Sequence, residues 1–193
     1  KILITGGAGY IGSMLSTKLI DLGYNVTVID ILKFNKNSLL HLVSNKNFKF
    51  INGDTRDKKL LLKELKNNNV IIPLAALVGA PLCEKFPNMA KEINFNNIKY
   101  ILSKLKKNQK IIYPNTNSGY GIGKKNAYCT EESDLRPISL YGKTKVDAEK
   151  LIMKHKNSVV FRLATVFGYS YRMRTDLLVN FLVHKAITKK KLD

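Results

Sequence analysis

Cysteine is scarce in this chain of 193 residues. Cys83 and Cys129 stand alone, without the spacing that holds a metal. Histidine is nearly as rare, and His41, His155 and His184 are scattered. All five side chains read as core filler or surface, so no metal site is expected. No apolar run approaches the ~20 residues needed to cross a bilayer, so no membrane partner is expected. No cleavable leader opens the chain, because Lys1-Ile2-Leu3-Ile4 runs straight into glycines. Few cysteines and no targeting segment favour a reducing, cytoplasmic setting. The chain begins without Met and stops at Lys189-Lys190-Lys191-Leu192-Asp193. Both ends read as cuts, the second just after a helix.

Negative charge is also in short supply. The 14 Asp and Glu residues against 33 Lys and Arg leave a net charge of +19. Such an excess invites a nucleic-acid reading. The distribution argues against it. Arginine occurs only at Arg56, Arg136, Arg162, Arg172 and Arg174, and Lys, Asn and Ile are abundant throughout. The aromatic–basic interleaving that stacks bases is absent. The charge therefore reads as a composition bias on a solvated surface, with no nucleic-acid partner. It would still help attract an acidic small-molecule substrate.

Apolar and charged contents of 45% and 24% are ordinary for a globular chain, and the length suffices for one domain with a real core. Short Ile- and Val-rich runs at 1–4, 25–30, 48–52, 70–74, 110–114 and 158–163 do not alternate, as expected of strands buried on both faces. Helical patterns at 10–22, 37–42, 57–66, 87–107 and 139–156 fall between them. That rhythm predicts an α/β Rossmann fold: a doubly wound parallel sheet with helices on both faces and right-handed crossovers. Two loops, 77–86 and 115–135, break the rhythm after the fourth and fifth strands. Both lie at carboxyl ends of strands, where open α/β sheets bind ligands.

Thr5-Gly6-Gly7-Ala8-Gly9-Tyr10-Ile11-Gly12 separates the first strand from the first helix. Gly6, Gly9 and Gly12 avoid the Cβ atoms that would block a tight turn and a close approach to phosphate. The helix N-terminus then offers free N–H groups to a pyrophosphate. Asp30 ends the second strand, about 20 residues on, where a carboxylate accepts from both ribose hydroxyls of an adenosine. A carboxylate there repels a 2′-phosphate, which favours NAD over NADP. Asp54 ends the third strand and has two readings, an acceptor for the adenine amino group or a helix N-cap. Tyr141 and Lys145 lie four apart on one helical face. A nearby ammonium and the positive nicotinamide ring would favour a phenolate at Tyr141, able to act as base toward a hydroxyl. Thr116, at the end of strand five, would align the same hydroxyl.

On residues 5–12, Asp30, Gly53-Asp54, Leu74-Ala75-Ala76, Asn94, and residues 116–121, 141–145 and 162–168, the chain resembles the NAD-dependent epimerase/dehydratase family that acts on nucleotide sugars, within the extended short-chain dehydrogenase/reductase superfamily. The likeness covers essentially the whole chain. It implies an NAD site built from Gly6, Gly9, Tyr10, Ile11, Gly12, Asp30, Asp54, Thr55, Leu74, Ala75, Ala76, Asn94, Tyr141 and Lys145, with Pro73 where the family often has His. It implies catalysis by Thr116, Tyr141 and Lys145, and a nucleotide sugar held by Thr116, Asn117, Ser118, Tyr141 and Asn180. The stretch Arg172-Met173-Arg174-Thr175-Asp176 resembles the start of the diphosphate-gripping region. The implied division is a cofactor domain over 1–168 and, from 169 to 193, the start of a smaller C-terminal substrate domain. A homodimer is also implied, pairing helices 87–107 and 139–156 through Ile93, Ile101, Leu102, Leu105, Ala148, Leu151 and Ile152. Alternatively those faces simply cover the sheet.

One departure bears on the reaction. The family's 4,6-dehydratases carry an acidic pair after the Ser/Thr, and here Asn117 and Ser118 stand there. Neither is a strong acid or base. Epimerisation by transient oxidation is therefore favoured over dehydration, with one-way oxidoreduction using the same residues. A non-catalytic NAD-binding sensor would share the glycine loop but would not need Thr116, Tyr141 and Lys145 together.

Overall fold

The short Ile- and Val-rich runs all become strands. The computed structural model describes residues 1–34, 36–123 and 128–190. Its strands are β1 (Ile2–Thr5), β2 (Val26–Asp30), β3 (Phe48–Asn52), β4 (Val70–Pro73), β5 (Lys110–Thr116) and β6 (Ser158–Leu163). Each lies within two residues of its expected place. They form one parallel sheet in the order β3-β2-β1-β4-β5-β6. The order reverses between β1 and β4, so the crevice of a doubly wound sheet opens beyond Thr5 and Pro73, which are register partners.

Burial on both faces explains why the runs do not alternate. Leu3, Ile29, Ile71, Ile111 and Tyr113 point to one face and meet Leu61 and Leu65 of α2 (Lys58–Asn67), Ile98 and Ile101 of α5 (Asn97–Lys104), and Ala148 and Ile152 of α6 (Leu140–Ile152). Ile2, Ile4, Val26, Val28 and Ile72 point to the other and meet Ile20 of α1 (Tyr10–Asp21) with Leu39 and Leu42. Of the residues expected to pair across a dimer, Ile101, Ala148 and Ile152 are thus fully buried against the sheet, and Leu102 and Leu105 pack on the same cluster. β6 is the exception among the strands. Val159 and Phe161 share one of its faces, and Phe161 is 51% exposed.

The helices depart from the pattern where side chains intervene. The segment at 37–42 is only a 3-10 turn, Leu40–Leu42. The loop at 77–86 contains α3 (Ala80–Lys85). The helix expected over 87–107 is divided into α4 (Pro87–Lys91), a π-helical turn (Glu92–Asn96) and α5. The wide turn contains Asn94, whose side chain is bonded to the backbone of Leu77. The helix also stops early, at Lys104, where the buried Gln109 takes over: its Oε1 accepts from Lys106 N at 2.7 Å and its Nε2 donates to Leu65 O and Asn68 O. A final helix, α7 (Leu178–Lys189), precedes the C-terminal tail. Residues 191–193, within the expected substrate region, lie outside the described residues.

The turn after β1 is tightly constrained. Gly6 has φ +74°, and a Cβ there would stand 2.5 Å from Ala75 N. Gly23 has φ +84° but open space around it. Gly6→Ala should therefore cost about 2 kcal/mol or more, against about 1 kcal/mol for Gly23→Ala, since only the first adds a backbone clash to the strained φ. Urea midpoints would measure the difference, and equal losses would contradict the packing described.

Candidate active site

The glycine loop is fixed by backbone bonds before any ligand is considered. Gly6 N donates to Ile29 O at 2.8 Å, and Gly9 N to Gly6 O at 3.2 Å. Gly12 brings α1 against the loop, where a Cβ would stand 2.6 Å from Gly6 O. No side chain caps α1, and its first-turn amides are left without a side-chain partner. Asp30 sits beside them. Its Oδ2 accepts from Ala8 N at 3.0 Å and its Oδ1 from Leu32 N at 2.8 Å. Each oxygen keeps a second acceptor position. A glycine turn, an uncapped helix start and an oriented carboxylate fit a dinucleotide's pyrophosphate and ribose.

The wall beside this loop continues from β4. Leu74 N donates to Thr5 O at 2.9 Å and Ala75 N to Thr5 Oγ1 at 3.4 Å. Asn94 is only 2% exposed, and its amide is occupied by protein. It accepts from Leu77 N at 2.8 Å and donates to Leu77 O at 3.0 Å and to Thr144 Oγ1 at 3.4 Å. Asn94 thus clamps the 75–77 wall to α6 from behind. At the end of β3, Asp54 is gripped by the Arg56 guanidinium and backbone N. That side-chain bond holds its carboxyl below the usual range against the opposing effect of burial. The cap of α2 is Asp57, which accepts from Lys59 N and Leu60 N. Thr55, between them, is buried.

The residues expected to handle the proton lie at the end of β5 and the start of α6. Thr116 caps a 3-10 turn, Asn117–Gly119. Its Oγ1 accepts from Ser118 N at 3.2 Å and donates to Ser118 Oγ at 3.1 Å. That turn lies on the start of α6, so close that a Cβ on Gly142 would be 3.0 Å from Ser118 O. Ser139 caps α6 by accepting from Gly142 N at 3.1 Å. Tyr141, in its first turn, packs with Leu77, Cys83 and Ala90.

Lys145 reaches across to β5, donating to Pro114 O at 3.0 Å and lying 3.8 Å over the Tyr113 ring. It is 5% exposed, and burial pulls its amine down to about 7. Tyr141 is pushed up to about 12, chiefly by burial and next by Cys83, while the cation that pulls it down is Arg174. The Lys145 amine is met by a carbonyl and a ring face on the strand.

Arg174, in the stretch that resembles the diphosphate-gripping region, belongs to a strap that ties it to the glycine loop. Asn180 Oδ1 accepts from Gly168 N at 2.8 Å, and its Nδ2 donates to Tyr10 OH and Arg174 O, each at 2.9 Å. Tyr10 OH donates to Gly168 O at 2.6 Å, and Ser170 Oγ to Tyr10 O at 2.7 Å. Asp176 holds the Arg174 guanidinium. Asn180 is thus engaged in joining the post-β6 segment to the glycine loop. Two charged residues were missed, Glu149 and Arg162. The signals were present: Glu149 is one turn beyond Lys145, and Arg162 interrupts an apolar strand.

A profile of the NAD dependent epimerase/dehydratase family matches residues 2–191. An uncharacterised UDP-glucose epimerase of Bacillus subtilis is 32% identical, over 100% of this chain and 64% of that protein. The dTDP-D-glucose 4,6-dehydratase of Dictyostelium discoideum is 32% identical, over 87% of this chain and 44% of that protein. The chain thus spans between 44% and 64% of the length of these two curated relatives. Among solved structures, a UDP-N-acetylglucosamine 4-epimerase from Methanobrevibacter ruminantium, in complex with UDP-N-acetylmuramic acid, superposes with a TM-score of 0.86 at 26% identity, over 98% of this chain and 63% of that one. Among the described residues, no helix is long and apolar enough to cross a membrane. With a match that runs from the first strand into the last helix, the chain belongs to the NAD-dependent epimerase/dehydratase family.

Proposed function

We propose that the protein binds NAD across the crevice beyond β1 and β4 and epimerises a nucleotide sugar by transient oxidation of one hydroxyl. The observation that carries this reading is the packing of the Thr116–Ser118 turn on the start of α6, beside the wall that runs along the glycine loop. Gly6, Gly9, Tyr10, Ile11 and Gly12 would hold the pyrophosphate and Asp30 the adenosine ribose, with Asp54 and Thr55 near the base. Residues 74–76 would line the cofactor, and Lys145 would reach its nicotinamide ribose. When bound, NAD supplies the acceptor and later the donor of a hydride.

Tyr141 would take the proton from the sugar hydroxyl and return it, with Thr116 accepting or donating at the same oxygen to fix its orientation. A phenol held at about 12 is a weak base in waiting, and added positive charge is what would bring it into range. Asn117 and Ser118 are exposed and carry no carboxylate, which favours epimerisation over the expulsion of water. Residues 1–168 would form the cofactor domain, and the segment from 169 would begin the sugar-nucleotide region. The reading also includes a cytoplasmic enzyme, supported by two unpaired cysteines. It includes a homodimer joined through the π-helical turn, α5 and α6, where Ile93, Leu102 and Leu151 remain half-buried.

Tyr141→Phe should lower the interconversion of nucleotide sugars by about 10²- to 10⁴-fold while NAD affinity stays within a few-fold. Product analysis by mass spectrometry and a fluorescence titration would read the two separately, and an unchanged rate would end the assignment. Lys145→Met should stabilise the cofactor-free protein and abolish turnover. The lysine titrates at about 7 when folded and at 10.5 ordinarily, so between these values the unfolded chain binds more protons and wild-type stability rises with pH. The gain from Met should therefore be largest at pH 6.5 and nearly gone by pH 10, as read from paired thermal melts. Equal gains at both pH values would contradict the buried amine. Sedimentation velocity at low micromolar concentration should show a dimer, and a clean monomer would refute that part of the reading.

A further inference from the structure

The mechanism leaves a buried ion pair unused. Glu149 follows Lys145 by one turn of α6, and each is 5% exposed. The two side chains take hold of consecutive residues of β5. Lys145 Nζ donates to Pro114 O, and Glu149 Oε2 accepts from Asn115 Nδ2. The other oxygen of Glu149 accepts from Arg162 of β6, from Nε at 2.9 Å and NH2 at 2.7 Å. Arg162 NH1 continues to Glu131 O at 2.9 Å and Tyr120 OH at 3.2 Å. Two buried polar atoms of the same layer, Tyr113 Oη and Asn115 Oδ1, find no hydrogen-bond partner among the described residues.

The groups around Lys145 can be named by element. β5 brings Tyr113, whose phenol is held well above its ordinary value by burial and so stays neutral, and the Pro114 carbonyl. α6 itself brings Tyr141 and Glu149, and Cys83 of α3 acts on Tyr141. The π-helical turn brings the neutral Asn94, bonded to Thr144. β6 brings Arg162, by way of Glu149. The carboxylate of Glu149 is the group that opposes the effect of burial on the lysine.

We propose that the Glu149–Arg162 pair sets the charge of Lys145: the carboxylate, one helical turn away and bonded to the next residue of β5, attracts the ammonium, and Arg162, bonded to that carboxylate, offsets the attraction. Glu149 is then a positioning residue that acts through Lys145. The inference rests on the reading of Lys145 as an active-site residue. Its physics does not require turnover. Replacing Glu149 by Gln leaves Arg162 as an unbalanced buried cation, which drives protons off Lys145. Replacing Arg162 by Gln leaves the carboxylate unbalanced, which holds the proton on. Opposite shifts from the two halves of one ion pair are a signature that a purely structural pair would not give.

Competitive labelling of the purified protein with acetic anhydride across pH 5–11, read by mass spectrometry on the peptide containing Lys145, measures this amine directly. Glu149→Gln should move its titration down by about one pH unit or more, and Arg162→Gln should move it up by a similar amount. The double variant should return close to wild type, and Glu149→Asp should stay there. Arg162→Lys, which keeps a balancing cation, should stay near wild type, and with Glu149→Gln it keeps the test decisive if Arg162→Gln fails to fold. Shifts in the same direction from Glu149→Gln and Arg162→Gln, or no shift in either, would overturn the proposal. If the labelling shifts appear but no nucleotide sugar is turned over, the epimerase reading fails and this inference stands. If turnover is present, the acid limb of its pH–rate profile should follow the labelling.

Discussion

Gly6 and the backbone of residues 74 and 75 approach so closely that no side chain fits between them. The contact joins the first βα turn to the end of β4, the two edges of the crevice. From it follow the bonds from residues 74 and 75 to Thr5, the course of the wall as far as Leu77, and the clamp of Asn94 that ties the wall to α6. α6 in turn carries Tyr141 and Lys145. A displacement of a few tenths of an ångström at the glycine turn would therefore pass through packed backbone and the buried amide of Asn94 to the helix that carries Tyr141 and Lys145.

The other side of the crevice depends on charge rather than on close packing. Lys145, Glu149 and Arg162 are drawn into a layer that also contains a phenol and an amide oxygen without partners among the described residues. Such groups lower stability unless their hydrogen bonds are nearly complete. The protein supplies most of them from backbone carbonyls and from one carboxylate that serves three donors. A layer of aliphatic side chains would fold more securely here.

The fold and the outline of the site were legible in the sequence because their signals are local. Strands covered on both faces leave uninterrupted Ile and Val runs, and a glycine loop between strand and helix has few alternative uses. What stayed hidden was where polar side chains spend their hydrogen bonds. Asn94 and Asn180 sit where cofactor and substrate contacts were expected, yet both amides are engaged by protein, Asn94 by Leu77 and Thr144 and Asn180 by Gly168, Tyr10 and Arg174. Lys145 shares a helical face with Tyr141, as spacing required, but the direction of its amine was decided by a carbonyl on a distant strand. The π-helical turn was invisible for the same reason, since it accompanies a side chain bonded to residues 17 positions away.

Tyr10 shows a further consequence of the strap. Its hydroxyl bonds to Gly168 and Asn180, partners 158 and 170 residues distant along the chain. Contacts of that range form late in folding, after the loop-closure entropy of the intervening chain has been overcome. During synthesis, the glycine loop emerges long before its partners in the strap, and its outer side is completed only when they follow. The capacity to hold a dinucleotide firmly is thus a property that matures late, although the loop that begins it is made well before.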